Sequence, residues 1–183
     1  MVNRKRIVAV VGPSGSGKTK MGQEILRDLL GFTQLITDTT RAMRTGEVQD
    51  VSYHFKSVEE FKASEHVEFT EYPKDSGTFY GLSKDEVVKK SETMDCYAVL
   101  DINGALALKK HFPDAKIIFI YSPIEVLEKR MRDRGDNEDS IQKRLANIEA
   151  SKEFENDKYA DLVIENINFD DVKNQIISYI SSI

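Results

Sequence analysis

Apolar residues in this chain come in two rhythms, and the boundaries between the rhythms mark the elements. Residues 6–11 are apolar almost throughout and stop at Gly12-Pro13, the pattern of a short buried strand. From residue 18 to 30, Met21, Ile25, Leu26, Leu29 and Leu30 recur at helical spacing, and Gly31 stands where a helix of that length should close. Residues 32–36 predict a second strand. Polar, turn-rich sequence follows over 37–92, with β-like pieces at 52–55, 67–72 and 78–82 and helical patterns at 57–63 and 83–91. Regular patterning then returns: strand 96–102, helix 105–111, strand 116–121 and helix 123–134. Ile141, Leu145, Ile148 and Phe154 carry a helical pattern through the charged stretch 135–159, and strand 162–164 and amphipathic helix 172–180 complete the chain.

Strands that alternate with helices predict an α/β fold, a mainly parallel sheet with helices on both faces. The polar stretch 37–92 predicts a small mixed lobe inserted between core strands. One domain fits the length of 183 residues. Its core is expected at about 1–36, 93–128 and 160–183, with the lobe at about 37–92 and a charged helical segment at about 129–159.

Composition narrows the chemistry. Hydrophobic residues make up 40% and charged residues 31%, the ordinary range for soluble domains. No apolar run approaches the roughly 18 residues that cross a bilayer. The basic start is followed by only five apolar residues, so neither a membrane partner nor a secretory leader is expected, and a cytoplasmic location is. Cys96 is the sole cysteine, which excludes an internal disulfide and a thiolate zinc cluster, and His54, His66 and His111 lack metal-ligand spacing. The net charge of −5 speaks against nucleic acid as a partner. Monomer and homodimer stay equally open.

Gly12-Pro13-Ser14-Gly15-Ser16-Gly17-Lys18-Thr19 meets every fixed position of the phosphate-binding pattern G-x-x-x-x-G-K-[ST], between a predicted strand and a predicted helix. Glycines let successive backbone N–H groups turn toward phosphate oxygens, and the helix that follows adds its N-terminal dipole. Lys18 can reach β- and γ-phosphates, and the Thr19 hydroxyl can join a Mg²⁺ shell. ATP with Mg²⁺ is the implied pair.

Further motifs say more about the reaction: Thr39-Thr40-Arg41-Ala42-Met43-Arg44-Thr45-Gly46-Glu47, Tyr53-His54-Phe55, Phe69-Thr70-Glu71-Tyr72, and Ser76 through Gly81. With Leu100-Asp101-Ile102 and Arg130-x-x-x-Arg134-Gly135, the chain closely resembles the guanylate kinase family from the phosphate loop to Asn166. The resemblance implies a nucleoside-monophosphate (NMP) kinase fold with an inserted NMP-binding lobe and a helical lid. It also implies transfer of a phosphoryl group from ATP to GMP. It places the acceptor phosphate on Arg41, Arg44, Tyr53 and Tyr80, with Thr37 alongside, and guanine on Glu71. A carboxylate suits guanine because N1–H and N2–H₂ are donors on one edge, whereas adenine offers an acceptor at N1. Asp101 is implied near Mg²⁺ and the phosphates, Asn103 near GMP, Arg130, Arg134 and Arg144 over the transferring group, and Asn166 near the adenine of ATP.

Two positions depart from the family. Leu82 stands where a hydroxyl residue usually meets the guanine edge, and Asn103 replaces the second acid of an Asp-x-Asp pair. A neutral hydrogen bond contributes about 0.5–1.5 kcal/mol net, so each loss corresponds to roughly 2- to 12-fold in GMP selection. These departures fit a less selective guanylate kinase and equally a relative that phosphorylates another nucleotide or phosphorylated small molecule. A scaffold-type binding module is the third reading, against which stand Lys18, Thr19 and the lid arginines.

Overall fold

The computed structural model describes residues 5–71, 76–133 and 135–183. Five strands form an all-parallel sheet in the order β2-β7-β1-β8-β9: β1 Ile7–Val11, β2 Thr33–Gln34, β7 Cys96–Val99, β8 Lys116–Tyr121 and β9 Leu162–Glu165. Side chains of a strand alternate between faces, and β1 shows why its whole length is apolar. Ile7, Ala9 and Val11 join a core with Leu108, Phe112 and Ile117, while Val8 and Val10 join a second core with Ile25, Phe32 and Ile176. Helices α3 Lys84–Ser91 and α4 Ile102–His111 supply residues to the first core, and α7 Phe169–Ser182 to the second.

A smaller sheet, built entirely from residues 38–83, has the order β4-β3-β6-β5, with β3 Asp38–Thr39, β4 His54–Phe55, β5 His66–Glu71 and β6 Phe79–Ser83. Its helix α2 Val58–Ala63 begins in a capping box: Ser57 and Glu60 each accept the other's backbone N–H. Helices α5 Ile124–Asp133 and α6 Glu138–Ala150 enclose a third apolar cluster of Leu127, Met131, Ile141 and Ile148. A 3₁₀ segment, Glu153–Tyr159, leads from them to β9.

The chain departs from its sequence pattern in four places. The helix after the phosphate loop is α-helical only over Lys18–Met21 (α1) and then widens to π geometry over Gly22–Arg27. The Tyr97 ring lies so close to Gly22 that an added Cβ would stand 2.6 Å from it. Strand β7 ends at Val99, and α4 begins three residues earlier than its apolar spacing suggests, because the Asp101 carboxylate accepts the Gly104 N–H at 2.8 Å and caps the helix. Asn168 likewise starts α7 early by accepting the N–H groups of Asp170 and Asp171. Strand β3 is two residues long and has no apolar signature, yet both of its residues are buried. No helix among the described residues is long and apolar enough to cross a membrane.

Candidate active site

The loop between β1 and α1 takes its shape from glycines in the left-handed region. Gly12 has φ +143°, and a Cβ there would stand 1.9 Å from the Ile120 carbonyl oxygen, so only glycine lets the loop pass β8. Gly17 has φ +95°, and its missing Cβ leaves room for the Asn166 amide, 2.6 Å from where that atom would be. Lys18 closes the loop on itself, its Nζ donating to Gly12 O at 2.7 Å and Pro13 O at 2.8 Å. Burial lowers the Lys18 pKa to about 8, with the Glu153 carboxylate of the 3₁₀ segment pulling the other way. Burial in turn raises the Glu153 carboxyl, which Lys18 partly offsets. Ser14 and Gly15 are partly exposed, Pro13 is buried, and Thr19 at the start of α1 is exposed. The Ser16 hydroxyl is buried with no hydrogen-bond partner among the described residues.

Behind the loop lies a polar brace. Asn166, 3% exposed, donates from Nδ2 to Ser16 O at 2.7 Å. Its own carbonyl accepts from Ser122 Oγ at 2.8 Å and Arg130 Nη2 at 2.9 Å, and Arg130 Nη1 donates to Ser122 Oγ at 2.9 Å. Arg130 therefore ties α5 to the end of β9. Arg144 of α6 reaches the loop from the other side, with Nη1 3.4 Å from Ser14 Oγ and 3.4 Å from Asp136. Arg134 lies outside the described residues.

The smaller sheet supplies a second polar cluster. The Arg41 guanidinium makes a two-pronged pair with Glu47, Nη2 to Oε1 at 2.7 Å and Nη1 to Oε2 at 3.0 Å. It also lies near the rings of Tyr53 and Phe55, at 5.5 and 5.6 Å. Tyr53 meets Tyr80 edge to face at 6.0 Å, and burial raises the Tyr53 phenol above its usual range. Tyr53, Tyr80 and Thr37 line one cavity with Leu82, Glu68 and Asp101. Arg44 is exposed, its N–H on Glu47 at 2.7 Å.

Two of the base-site expectations meet this geometry differently. Leu82 is 4% exposed and packs into the core, so its position contributes an apolar wall. Glu71 pairs with Phe79 across β5 and β6, and its Oε1 accepts the Gly77 N–H at 2.6 Å, closing the turn between the strands. The cavity wall holds a carboxylate that the motif did not single out, Glu68. Burial raises its carboxyl pKa, and the Asp101 charge adds to the rise.

Asp101 borders two recesses. One is the cavity with Tyr53 and Tyr80; the other is a mouth shared by Gly12, Asn103, Ser151, Glu153 and Asn156 at the phosphate loop. The two polar clusters thus open on either side of a single N-cap residue. Among the described residues no group of three or more His, Cys, Asp or Glu could hold a metal ion alone.

A family model described as guanylate kinase matches residues 4–183. A guanylate kinase of Fusobacterium nucleatum subsp. nucleatum is 36% identical over 180 residues, covering 96% of each chain. One from Rickettsia felis is 34% identical over 178 residues, covering 95% of this chain and 92% of the relative. Among solved structures, the crystal structure of guanylate kinase from Anaplasma phagocytophilum superposes with a TM-score of 0.70 at 22% identity, over 98% of this chain and 86% of the other, a likeness of fold.

Proposed function

The chain belongs to the guanylate kinase family, and we propose that it transfers the terminal phosphoryl group of ATP to GMP, giving ADP and GDP. The observation that carries this reading is the position of Asp101, which borders both the recess at the phosphate loop and the cavity holding Tyr53 and Tyr80. Two phosphorylated ligands, one from each side, would meet there.

The acceptor is already an anionic phosphate oxygen, so the reaction needs alignment and charge neutralisation, not a general base. On the ATP side, backbone N–H groups of residues 14–19 cradle the phosphates, and Lys18 exchanges its two carbonyl contacts for phosphate oxygens. On the acceptor side, Arg41, Tyr53 and Tyr80 hold the GMP phosphate, with Arg44 and Thr37 at its edge. Arginine suits this because its planar fork donates two hydrogen bonds to one phosphate, and Glu47 fixes the direction of the fork in Arg41. Glu71 reaches guanine after releasing the Gly77 N–H. Arg144 and the segment bearing Glu153 close over the loop and exclude water, which would otherwise hydrolyse ATP. Asn166 and Arg130 act from behind, bracing the loop.

A magnesium ion fits a site of this composition. The Ser16 hydroxyl, unpartnered among the described residues, Thr19 at the helix start and the carboxylates of Asp101 and Glu153 are oxygen donors too few for a protein cage, which suits an ion that arrives on ATP phosphates. Thr19 and Asp101 would hold it, and it would supply charge neutralisation between the phosphates.

The test is Lys18→Met assayed for GDP formation from GMP and Mg-ATP. The substitution should lower turnover by well over tenfold, about 1.4 kcal/mol of barrier; survival within tenfold would refute the mechanism.

A second reading, a kinase for a different acceptor, is favoured by one observation: buried Leu82 offers no hydrogen-bond donor where the base would lie.

A further inference from the structure

Glu68 stands three residues before Glu71 on β5 and directly across from Leu82 on β6, just past a bulge between His66 and Glu68. In register, Thr70 faces Tyr80, so Glu68, Thr70, Tyr80 and Leu82 share one face of the sheet. That face lines the cavity bordered by Asp101. The other face carries Phe69 and Phe79, which pack with Phe61.

The Oε2 atom of Glu68 is buried and has no hydrogen-bond partner among the described residues. A buried carboxylate oxygen without a donor is destabilising, and its neighbours offer no relief. Leu82, Val67 and Val99 are apolar walls, Asp101 is another acid, and the Thr37, Tyr53, Thr70 and Tyr80 hydroxyls that also line the cavity make no bond to it. The atom is therefore an unsatisfied acceptor on the wall of this cavity. A ligand that brings N–H groups to this wall completes it.

We propose that Glu68 is a further base-reading residue, its carboxylate accepting hydrogen bonds from the N–H edge of the acceptor's guanine. This rests on the acceptor being GMP, as proposed above. Guanine brings three hydrogens on that edge, one on N1 and two on N2. Glu71 lies across from Phe79 at the end of β5, on the opposite face, and reaches the base only by swinging off the Gly77 N–H, so the cavity face needs an acceptor of its own. Glu68 is that acceptor, and Leu82 opposite it packs against the ring instead of bonding its edge. Base selection in this chain thus relies on acids more than on a hydroxyl.

Glu68→Gln tests this, because the amide keeps the shape but removes the charge and turns a donor toward the base. GDP or IDP formation is followed for GMP and for IMP, which lacks the N2 amine, with the KM for ATP measured alongside. The expected result is a GMP KM raised at least about tenfold, an ATP KM unchanged, and a GMP-over-IMP preference reduced at least about fivefold. A GMP KM and a preference both within twofold of the unaltered chain would overturn the proposal, as would a parallel rise in the ATP KM. If Glu68→Gln does not fold, Glu68→Asp, which withdraws the carboxylate by one methylene, is read by the same criteria. An unaltered chain that phosphorylates neither nucleotide would instead overturn the acceptor assignment itself.

Discussion

Arg41 and Glu47 are joined by two charge-assisted hydrogen bonds, 2.7 and 3.0 Å long, with their side chains only 14% and 21% exposed. Glu47 also accepts the Arg44 N–H at 2.7 Å, so one carboxylate sets the guanidinium's orientation and the turn that follows it. An arginine held this way presents its fork without first losing side-chain freedom, which is the advantage of a preorganised phosphate site.

Glu47→Gln should therefore raise the KM for GMP by about tenfold, roughly 1.4 kcal/mol, and leave the KM for ATP alone. Steady-state kinetics with each nucleotide varied in turn provide the check. Equal effects on both would mean that Glu47 supports the whole fold instead of the acceptor site.

The Lys18 pKa of about 8 gives a pH signature for ATP binding. The sign follows from burial: the empty pocket favours the neutral amine, and phosphate oxygens favour the charged one. Near pH 8 about half of the lysines are neutral before binding, so Mg-ATP should draw in roughly half a proton, and close to none at pH 6.5. Calorimetry in two buffers of different ionisation enthalpy measures this uptake. An observed enthalpy independent of the buffer at pH 8, or an uptake retained in Lys18→Met, would contradict it.

Burial pushes the Cys96 thiol up to about 11. Because the native thiol keeps its proton where the unfolded one releases it, Cys96 contributes stability that is present below about pH 9 and is lost as pH rises toward 11. At pH 8 the native chain should react with a thiol reagent far more slowly than the denatured chain, which releases one equivalent. Rapid native labelling would show the thiol to be accessible.

Gly17→Ala forces an L residue to φ +95° and sets a methyl group 2.6 Å from the Asn166 amide nitrogen. The backbone strain alone is of order 1–3 kcal/mol, and the brace from Asn166 to Ser16 must shift. The variant should melt at a lower temperature and lose measurable ATP affinity, by thermal denaturation and nucleotide titration. Gly46→Ala, at φ +88° but with nothing among the described residues within 4 Å, should show the strain without loss of ATP affinity.

The features that could be read in the sequence are those fixed by local pattern. Strand β8 is found at the bounds its apolar run suggests, Lys116–Tyr121, and the phosphate loop lies between a strand and a helix as its glycine spacing requires. Features set by distant partners were not legible. The widening of the helix at Gly22 accompanies a ring 75 positions away, Tyr97, and β3 is made by pairing with β4 and β6. Asp101 was visible as an acid after a strand but not as a cap, because its carboxylate could point to phosphate or to Gly104 with the same sequence. Glu68 was hidden most completely. Which face it takes depends on a bulge and on the register with β6, and a one-residue slip would turn it away from the cavity.

The most direct test of the account is the choice of acceptor, measured as kcat/KM with Mg-ATP for GMP, dGMP, AMP, UMP and IMP. The account predicts GDP formation with GMP preferred over AMP and UMP by at least about 100-fold, as follows for a site that hydrogen-bonds the guanine edge. Turnover of AMP or UMP as fast as GMP, or no phosphorylation of any of the five, would contradict it.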